Sequence, residues 1–155
     1  MSQLFNACRT GDIATLQQLI VAEEDVNMRD ERGYTPLIIA SYNDQLEAAR
    51  LLIAAGADVN AQDAGGNTAL MGASFKGYAE IAELLIANGA DLNIQHGNGG
   101  TALMFAALFG RNNVVKLLIE HGADKTIREF RGLTATDLAV QQGNVEAVEL
   151  LEAGS

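Results

Sequence analysis

TALMGASFKG (residues 68–77) and TALMFAALFG (residues 101–110) are near copies set 33 residues apart. The second holds eight consecutive apolar side chains, Ala102 to Phe109, in a chain whose formal charge is −10. A membrane-spanning helix needs about 20 such residues, and this run stops at Gly110, ahead of Arg111, Asn112 and Asn113. The self-similarity supplies a different explanation: the run is one unit of a repeat and is covered by its copies.

The copies continue in both directions. TPLIIASYND lies at 35–44 and TATDLAVQQG at 134–143, so Thr35, Thr68, Thr101 and Thr134 recur every 33 residues, as do Gly33, Gly66, Gly99 and Gly132. A second block keeps the same phase: LLIAAGADVN (51–60), LLIANGADLN (84–93) and LLIEHGADKT (117–126). Asp25-Val26-Asn27 stands 33 residues before Asp58-Val59-Asn60, which extends the pattern over essentially the whole chain.

Each unit reads as two short helices and a turn. Thr35 before Pro36 is an N-cap followed by proline at the first helical position, where its missing N–H costs nothing. Thr68, Thr101 and Thr134 cap in the same way, and these helices are expected to end near Asp44, Gly77, Gly110 and Gly143. The second helix carries apolar residues at helical spacing, such as Ile81, Leu84 and Leu85, with Glu80 and Glu83 on the wet side. Gly56, Gly89 and Gly122 end it, and the Asp-x-Asn and glycine-rich residues beyond predict a hairpin-like turn. One such unit cannot bury its apolar face, but stacked units can. Leu103, Ala106 and Ala107 are therefore expected between two neighbours. The small-residue column Cys8, Ser41, Ser74, Ala107 and Val140 predicts the close contact of successive first helices. Gly72 shares a column with Phe105, so its missing side chain is expected to make room for that ring.

Composition narrows the function. The chain has 155 residues, 48% of them hydrophobic, enough for a core of single-domain size. Its N-terminus, MSQLFNACRTGD, lacks a basic segment followed by a long apolar one. Cys8 stands alone and cannot form an intramolecular disulfide. These features predict a cytoplasmic protein without membrane attachment. Twenty acidic residues against 10 basic ones argue against nucleic acid, whose phosphates repel an acidic surface.

GYTPLIIAS followed by LLIAAGADVNAQD resembles the ankyrin repeat, whose period is also 33 and whose signature includes T-P-L-H-x-A. The resemblance spans about residues 4–153 and implies an all-α fold, an α-solenoid of helix-turn-helix units joined by hairpin-like turns. It implies one domain over 1–155, with an N-terminal capping repeat (1–29), full repeats at 30–62, 63–95 and 96–128, and a C-terminal cap (129–155). The family's histidine after T-P-L is replaced by Ile38, Met71, Met104 and Asp137. The hydrogen bonds that the histidine makes in the family are thus missing, with apolar stacking expected in their place.

Catalysis finds no candidate residues, and neither a metal nor a cofactor is expected. His96 and His121 lie in different contexts without a CxxC or HExxH partner. His121 reads as the last turn of a helix, where a cation complements the dipole. His96 takes the column of Asp30, Asp63 and Glu129 and reads as a turn residue. Cys8 reads as a packed thiol. Ser41 and Ser74 have no His–Asp constellation, and HGNGG (96–100) lacks the strand and Lys-Ser/Thr of a phosphate loop.

In the family, partners usually dock on the concave side, made of turn tips and first helices. Carried onto this sequence, that side holds Arg32, Tyr34, Arg128, Phe130 and Arg131 at the tips, and Tyr42, Phe75, Lys76, Leu108 and Phe109 at the helix ends. Tyr42, Phe75 and Leu108 form an apolar row at 33-residue spacing with Phe109 beside it. The bland reading tucks these side chains under the turns as satellite core; the functional one makes them an exposed patch of about 300–600 Å². The acids Glu47, Glu80, Glu83 and Glu146 fall on second helices, which leaves Arg32, Lys76, Arg128 and Arg131 to steer an apolar segment with acidic edges. The resemblance thus implies a non-catalytic protein-interaction module acting as adaptor, inhibitor or regulator. The alternative is a sensor of a small ligand or peptide in the aromatic groove. The chain is expected to be a monomer, with weak self-association through the apolar row.

Overall fold

The computed structural model describes residues 2–153. Among these residues ten helices follow one another: α1 (Gln3–Thr10), α2 (Ile13–Val21), α3 (Pro36–Tyr42), α4 (Leu46–Ala54), α5 (Ala69–Lys76), α6 (Ala79–Ala87), α7 (Ala102–Leu108), α8 (Asn112–Glu120), α9 (Ala135–Gln141) and α10 (Val145–Glu152). No strand occurs among the described residues. The odd-numbered helices stack on one another in chain order, and the even-numbered ones form a second layer behind them.

The expected capping chemistry starts the first helices. Thr35, Thr68 and Thr101 accept from the backbone N–H of Ile38, Met71 and Met104 at 3.2–3.3 Å. Thr134 adds a reciprocal bond, its own N–H donating to Asp137 Oδ2 at 2.9 Å. That bond holds the Asp137 carboxyl below its ordinary range. α5 stops at Gly77, whose φ of 81° is the left-handed conformation that glycine adopts freely.

Side chains at the starts of the second helices close the other ends across the repeat boundary. Gln45 donates to the carbonyl of Arg9, Arg111 Nε to that of Phe75 at 2.9 Å, and Asn144 to that of Ala107. Each satisfies an orphan carbonyl at the C-terminus of the preceding repeat's first helix. The turns are laced in the same periodic way. Asn27 and Asn60 each donate to a glycine carbonyl one repeat on, Gly56 and Gly89, and accept from the N–H of Asp58 and Asp91 at 2.7 Å. At the tips, the N–H groups of Ala64, Gly97 and Phe130 donate to the carbonyls of Arg32, Gly65 and Asn98 at 2.8–3.0 Å.

Columns of leucine and alanine fill the core. Leu4, Leu37, Leu70 and Leu103 are each 1% exposed, and Ala40, Ala73, Ala106 and Ala139 are fully buried. Ile38, Met71 and Met104 are buried where the family carries histidine. The small-residue column is sealed at Cys8, Ser41, Ser74 and Ala107, but Val140 is 60% exposed. The expectation of a continuous close contact fails there because no first helix follows α9 among the described residues. Ser41 and Ser74 have buried hydroxyls with no hydrogen-bond partner among the described residues.

Leu103→Ala is expected to cost about 2–5 kcal/mol in urea unfolding, as a truncation walled in by two neighbours. Ser74→Ala removes a hydroxyl that bonds nothing, so it should be neutral or raise stability by up to about 1 kcal/mol. A loss of stability for Ser74→Ala would show that its hydroxyl is satisfied.

Candidate functional site

A groove of about 1270 Å³ runs between the turn tips and the ends of the first helices. Its floor is apolar, from Ile38 and Ile39 through Met71 and Gly72 to Phe105. The turn-side wall carries Asp30, Glu31, Arg32, Asp63 and Asn67, and the opposite wall is aromatic. Tyr42 and Phe75 stack with centroids 6.1 Å apart at 12°, and Phe109 meets Phe75 edge-on at 4.6 Å. These separations lie within the range where aromatic pairs attract. Lys76 Nζ sits 4.9 Å from the Tyr42 ring centre, a cation–π distance. Tyr42 and Phe109 are each 44% exposed, whereas Phe75 between them is half-buried. The bond from Arg111 to the Phe75 carbonyl fixes the backbone under the middle ring.

The apolar row is divided in space. Leu108 is half-buried and lines a smaller groove of about 440 Å³ together with Phe130, Arg131 and His96, while Phe105 and Phe109 border both grooves. Phe130 at the last tip is 86% exposed, and Tyr34 lies half-buried on the larger groove. The column Ile39, Gly72 and Phe105 forms much of the floor, and the sequence reading gave it no surface role. Its signal was present: it lies three residues before the Tyr42–Phe75–Leu108 row and shares that helix face.

The expected pairing of Gly72 with Phe105 does not occur. A Cβ built at Gly72 meets only Tyr42, at 3.4 Å from Cδ1 and 3.9 Å from Cβ. Helical side chains lean toward the N-terminus, so Tyr42 at the end of α3 covers the level one turn earlier, which is the level of Gly72 in α5. Phe105 packs instead on the His96 ring, with centroids 5.0 Å apart. Gly100 leaves room for that imidazole, since a Cβ there would fall 2.8 Å from Nε2. Burial pushes the His96 pKa down, and the Asp63 carboxylate acts in the opposite direction.

Charge on this side differs from the sequence count. Arg131 Nε is 2.9 Å from Glu129, and Arg128 donates to the Gly132 carbonyl at 2.6 Å while facing Asp137. Of the four expected steering cations, Arg131 is thus ion-paired and Arg128 is tied to its own turn. Arg32 is exposed, and no hydrogen bond engages its guanidinium among the described residues. The larger groove sets Arg9, Arg29 and Arg32 against Asp30, Glu31 and Asp63, so it is balanced in a molecule of charge −10. Asp30 and Asp63 each accept two backbone N–H groups of their own turn at Oδ1, at 2.9 Å, and Asp63 Oδ1 also accepts the Asn67 side-chain amide at 3.2 Å. Neither has a cation within 4 Å among the described residues.

Cys8 is sealed between α1 and its neighbours, and burial pushes its thiol up to about 12. His121 is the C-cap of α8. Among the described residues no group of three His, Cys, Asp or Glu side chains is placed to share a metal ion, and no helix is long and apolar enough to cross a membrane.

The profile of a family described as ankyrin repeats (3 copies) matches residues 4–96 and 84–155. No curated protein matches the chain.

Two outcomes follow from this geometry. Gly72→Ala should stabilise the protein by about 0.4–1 kcal/mol, because the helical backbone accepts the methyl group and Tyr42 is at contact distance. Its effect should add to that of Phe105→Ala within about 0.5 kcal/mol, and coupling beyond this would restore the Gly72–Phe105 contact. At pH 8 the Cys8 thiol stays protonated, so a thiol reagent should label it only as fast as the protein unfolds. Rapid labelling of the folded protein would place Cys8 at the surface.

Proposed function

The chain belongs to the ankyrin-repeat family, and we propose that it is a non-catalytic adaptor, inhibitor or regulator that seats a partner protein in its concave groove. Ankyrin repeats are generally protein–protein interaction modules. The observation that carries the concave-face reading is the exposed aromatic wall Tyr42–Phe75–Phe109 over an apolar floor. Aromatic side chains clustered in a groove are what binding hot spots are built from. The second groove extends the contact surface through Leu108, Phe130 and Arg131, with Tyr34, Arg32, Lys76 and Arg128 on the rims.

A small-ligand sensor is the weaker reading. Small-molecule pockets usually measure about 300–1,000 Å³ and enclose their ligand, whereas the main groove is about 1270 Å³ and lies open between two walls. A protein segment suits that space better. The buried lone thiol suits a reducing compartment such as the cytoplasm.

The test is affinity capture from the native cell, with Phe75→Asp as control bait, followed by titration of the captured partner. Phe75→Ala should weaken binding by about thirtyfold or more, the size of a central anchor, with the fold unchanged by circular dichroism. A partner that ignores Phe75, Leu108 and Tyr42 but depends on Glu80, Glu83 and Glu146 binds the outer helices and overturns the reading.

A further inference from the structure

Gly72 is a glycine that its own helix does not require. It lies inside α5, outside the left-handed region, and no backbone atom comes within 4 Å of a Cβ built there. A glycine in a helix interior is less favourable than alanine through the entropy that it loses on folding. Its neighbours in the same column, Ile39 and Phe105, are large, and all three line the groove floor. The floor therefore dips at Gly72, with the Tyr42 ring against one side of the dip and Phe75 one turn further along α5.

The carboxylates beside this dip have no direct ion-pair partner among the described residues. Asp30 and Asp63 are half-buried on the turn-side wall, and Asp30 Oδ2 accepts no hydrogen bond among the described residues. Asp63 Oδ2 receives only a 3.4 Å contact from Asn67. Glu129, in the same column, has Arg131 as its ion-pair partner, while Asp30 and Asp63 have no ion pair among the described residues. The groove's arginines form no ion pair with these two carboxylates among the described residues: Arg29 points its guanidinium at the carbonyls of Gly33 and Gln62, and Arg32 is exposed. Charges that are partly out of water interact more strongly than exposed ones. The molecule's charge of −10 also draws cationic segments toward it over longer range.

We propose that Gly72 forms the floor of a specificity socket. It takes one large apolar side chain from an exposed segment of a partner protein, while a lysine or arginine of the same segment engages Asp30 and Asp63. This deepens the protein-interaction reading above and rests on it. The apolar side chain lies against the Tyr42 ring, and the cation crosses to the turn-side wall. The partner's edge is thus basic, not the acidic one that the count of arginines suggested.

The experiment selects random 12-residue peptides on the full chain and measures the enriched ones by fluorescence anisotropy. The expected peptides share a leucine, methionine or aromatic residue with a lysine or arginine within three positions. Gly72→Leu should weaken them by about thirtyfold or more, as loss of an anchor. Gly72→Ala, which also keeps α5 intact, should weaken them severalfold. Asp63→Asn keeps the acceptor for its turn and should weaken binding and flatten its salt dependence. If Gly72→Leu fails to fold by circular dichroism, Gly72→Ala decides. Acidic peptides, no enrichment at all, or equal affinity for wild type and both Gly72 variants would each overturn the socket. A concentration-dependent dimer of the chain that Gly72→Leu abolishes would also overturn it, by naming a second copy as the occupant. Binding lost with Phe75→Ala but indifferent to Gly72 and Asp63 overturns the socket and leaves the concave face standing. Binding indifferent to Phe75 and Gly72 but lost with Glu80→Gln and Glu83→Gln overturns both.

Discussion

No first helix of this protein can bury its apolar face without another repeat lying against it. The column Ala107–Val140 shows the constraint at work: Ala107 is fully buried between two neighbours, and Val140, one repeat on at the end of the stack, is 60% exposed. The two positions share local sequence phase and helix geometry and differ in whether a next helix covers them. Burial here belongs to the interface between repeats rather than to any repeat alone, which makes the stack the cooperative unit. Leucine at 4, 37, 70 and 103 and alanine three residues later are what that interface admits: one bulky layer, and one small enough to let the helices approach.

Apolar contact sets no register along the stack, and periodic polar bonds supply it. Asn27 and Asn60 each reach one repeat ahead, and Gln45, Arg111 and Asn144 each reach one repeat back to close a neighbour's helix end. Ile38, Met71 and Met104, where the family carries histidine, are buried and contribute packing alone. The polar links also bear on the binding face, because the Arg111 bond ends on the carbonyl of Phe75. The central ring of the aromatic wall is thus held by a residue of the following repeat.

Much of this was legible in the sequence. The 33-residue phase placed every helix, the four threonine caps and the buried leucines, because capping and burial depend on position within a repeat. What was not legible depends on the direction in which a side chain leaves its helix. Column arithmetic pairs Gly72 with Phe105, yet the lean of helical side chains toward the N-terminus brings Tyr42 there instead. The same arithmetic joins Leu108 to Phe75, whereas Phe109 makes the ring contact and Leu108 turns into the second groove. How the arginines are engaged was not legible for a related reason. Counting arginines takes each as free, while Arg131 is neutralised by Glu129 two residues away and Arg128 is bound to its own turn. The partner-facing residues remain a reading from family and geometry.

A stack that fixes its backbone by repetition can vary its surface only by substitution within a column. The floor column runs Ile39, Gly72, Phe105, Leu138, and the carboxylate column runs Asp30, Asp63, His96, Glu129. The departures from pattern are Gly72, on the floor of the larger groove, and His96, which lines the smaller one. His96 gives up the turn's carboxylate acceptor and packs its ring on Phe105, with Gly100 leaving the room that it needs. Phe105 thereby meets the third turn tip through the His96 ring. Gly72 on the floor of the larger groove, His96 and Gly100 on the smaller one, and Phe105 and Phe109 bordering both are thus departures from the repeat that line the two grooves. The repeat supplies the rigid wall, and these exceptions to it give the groove its shape.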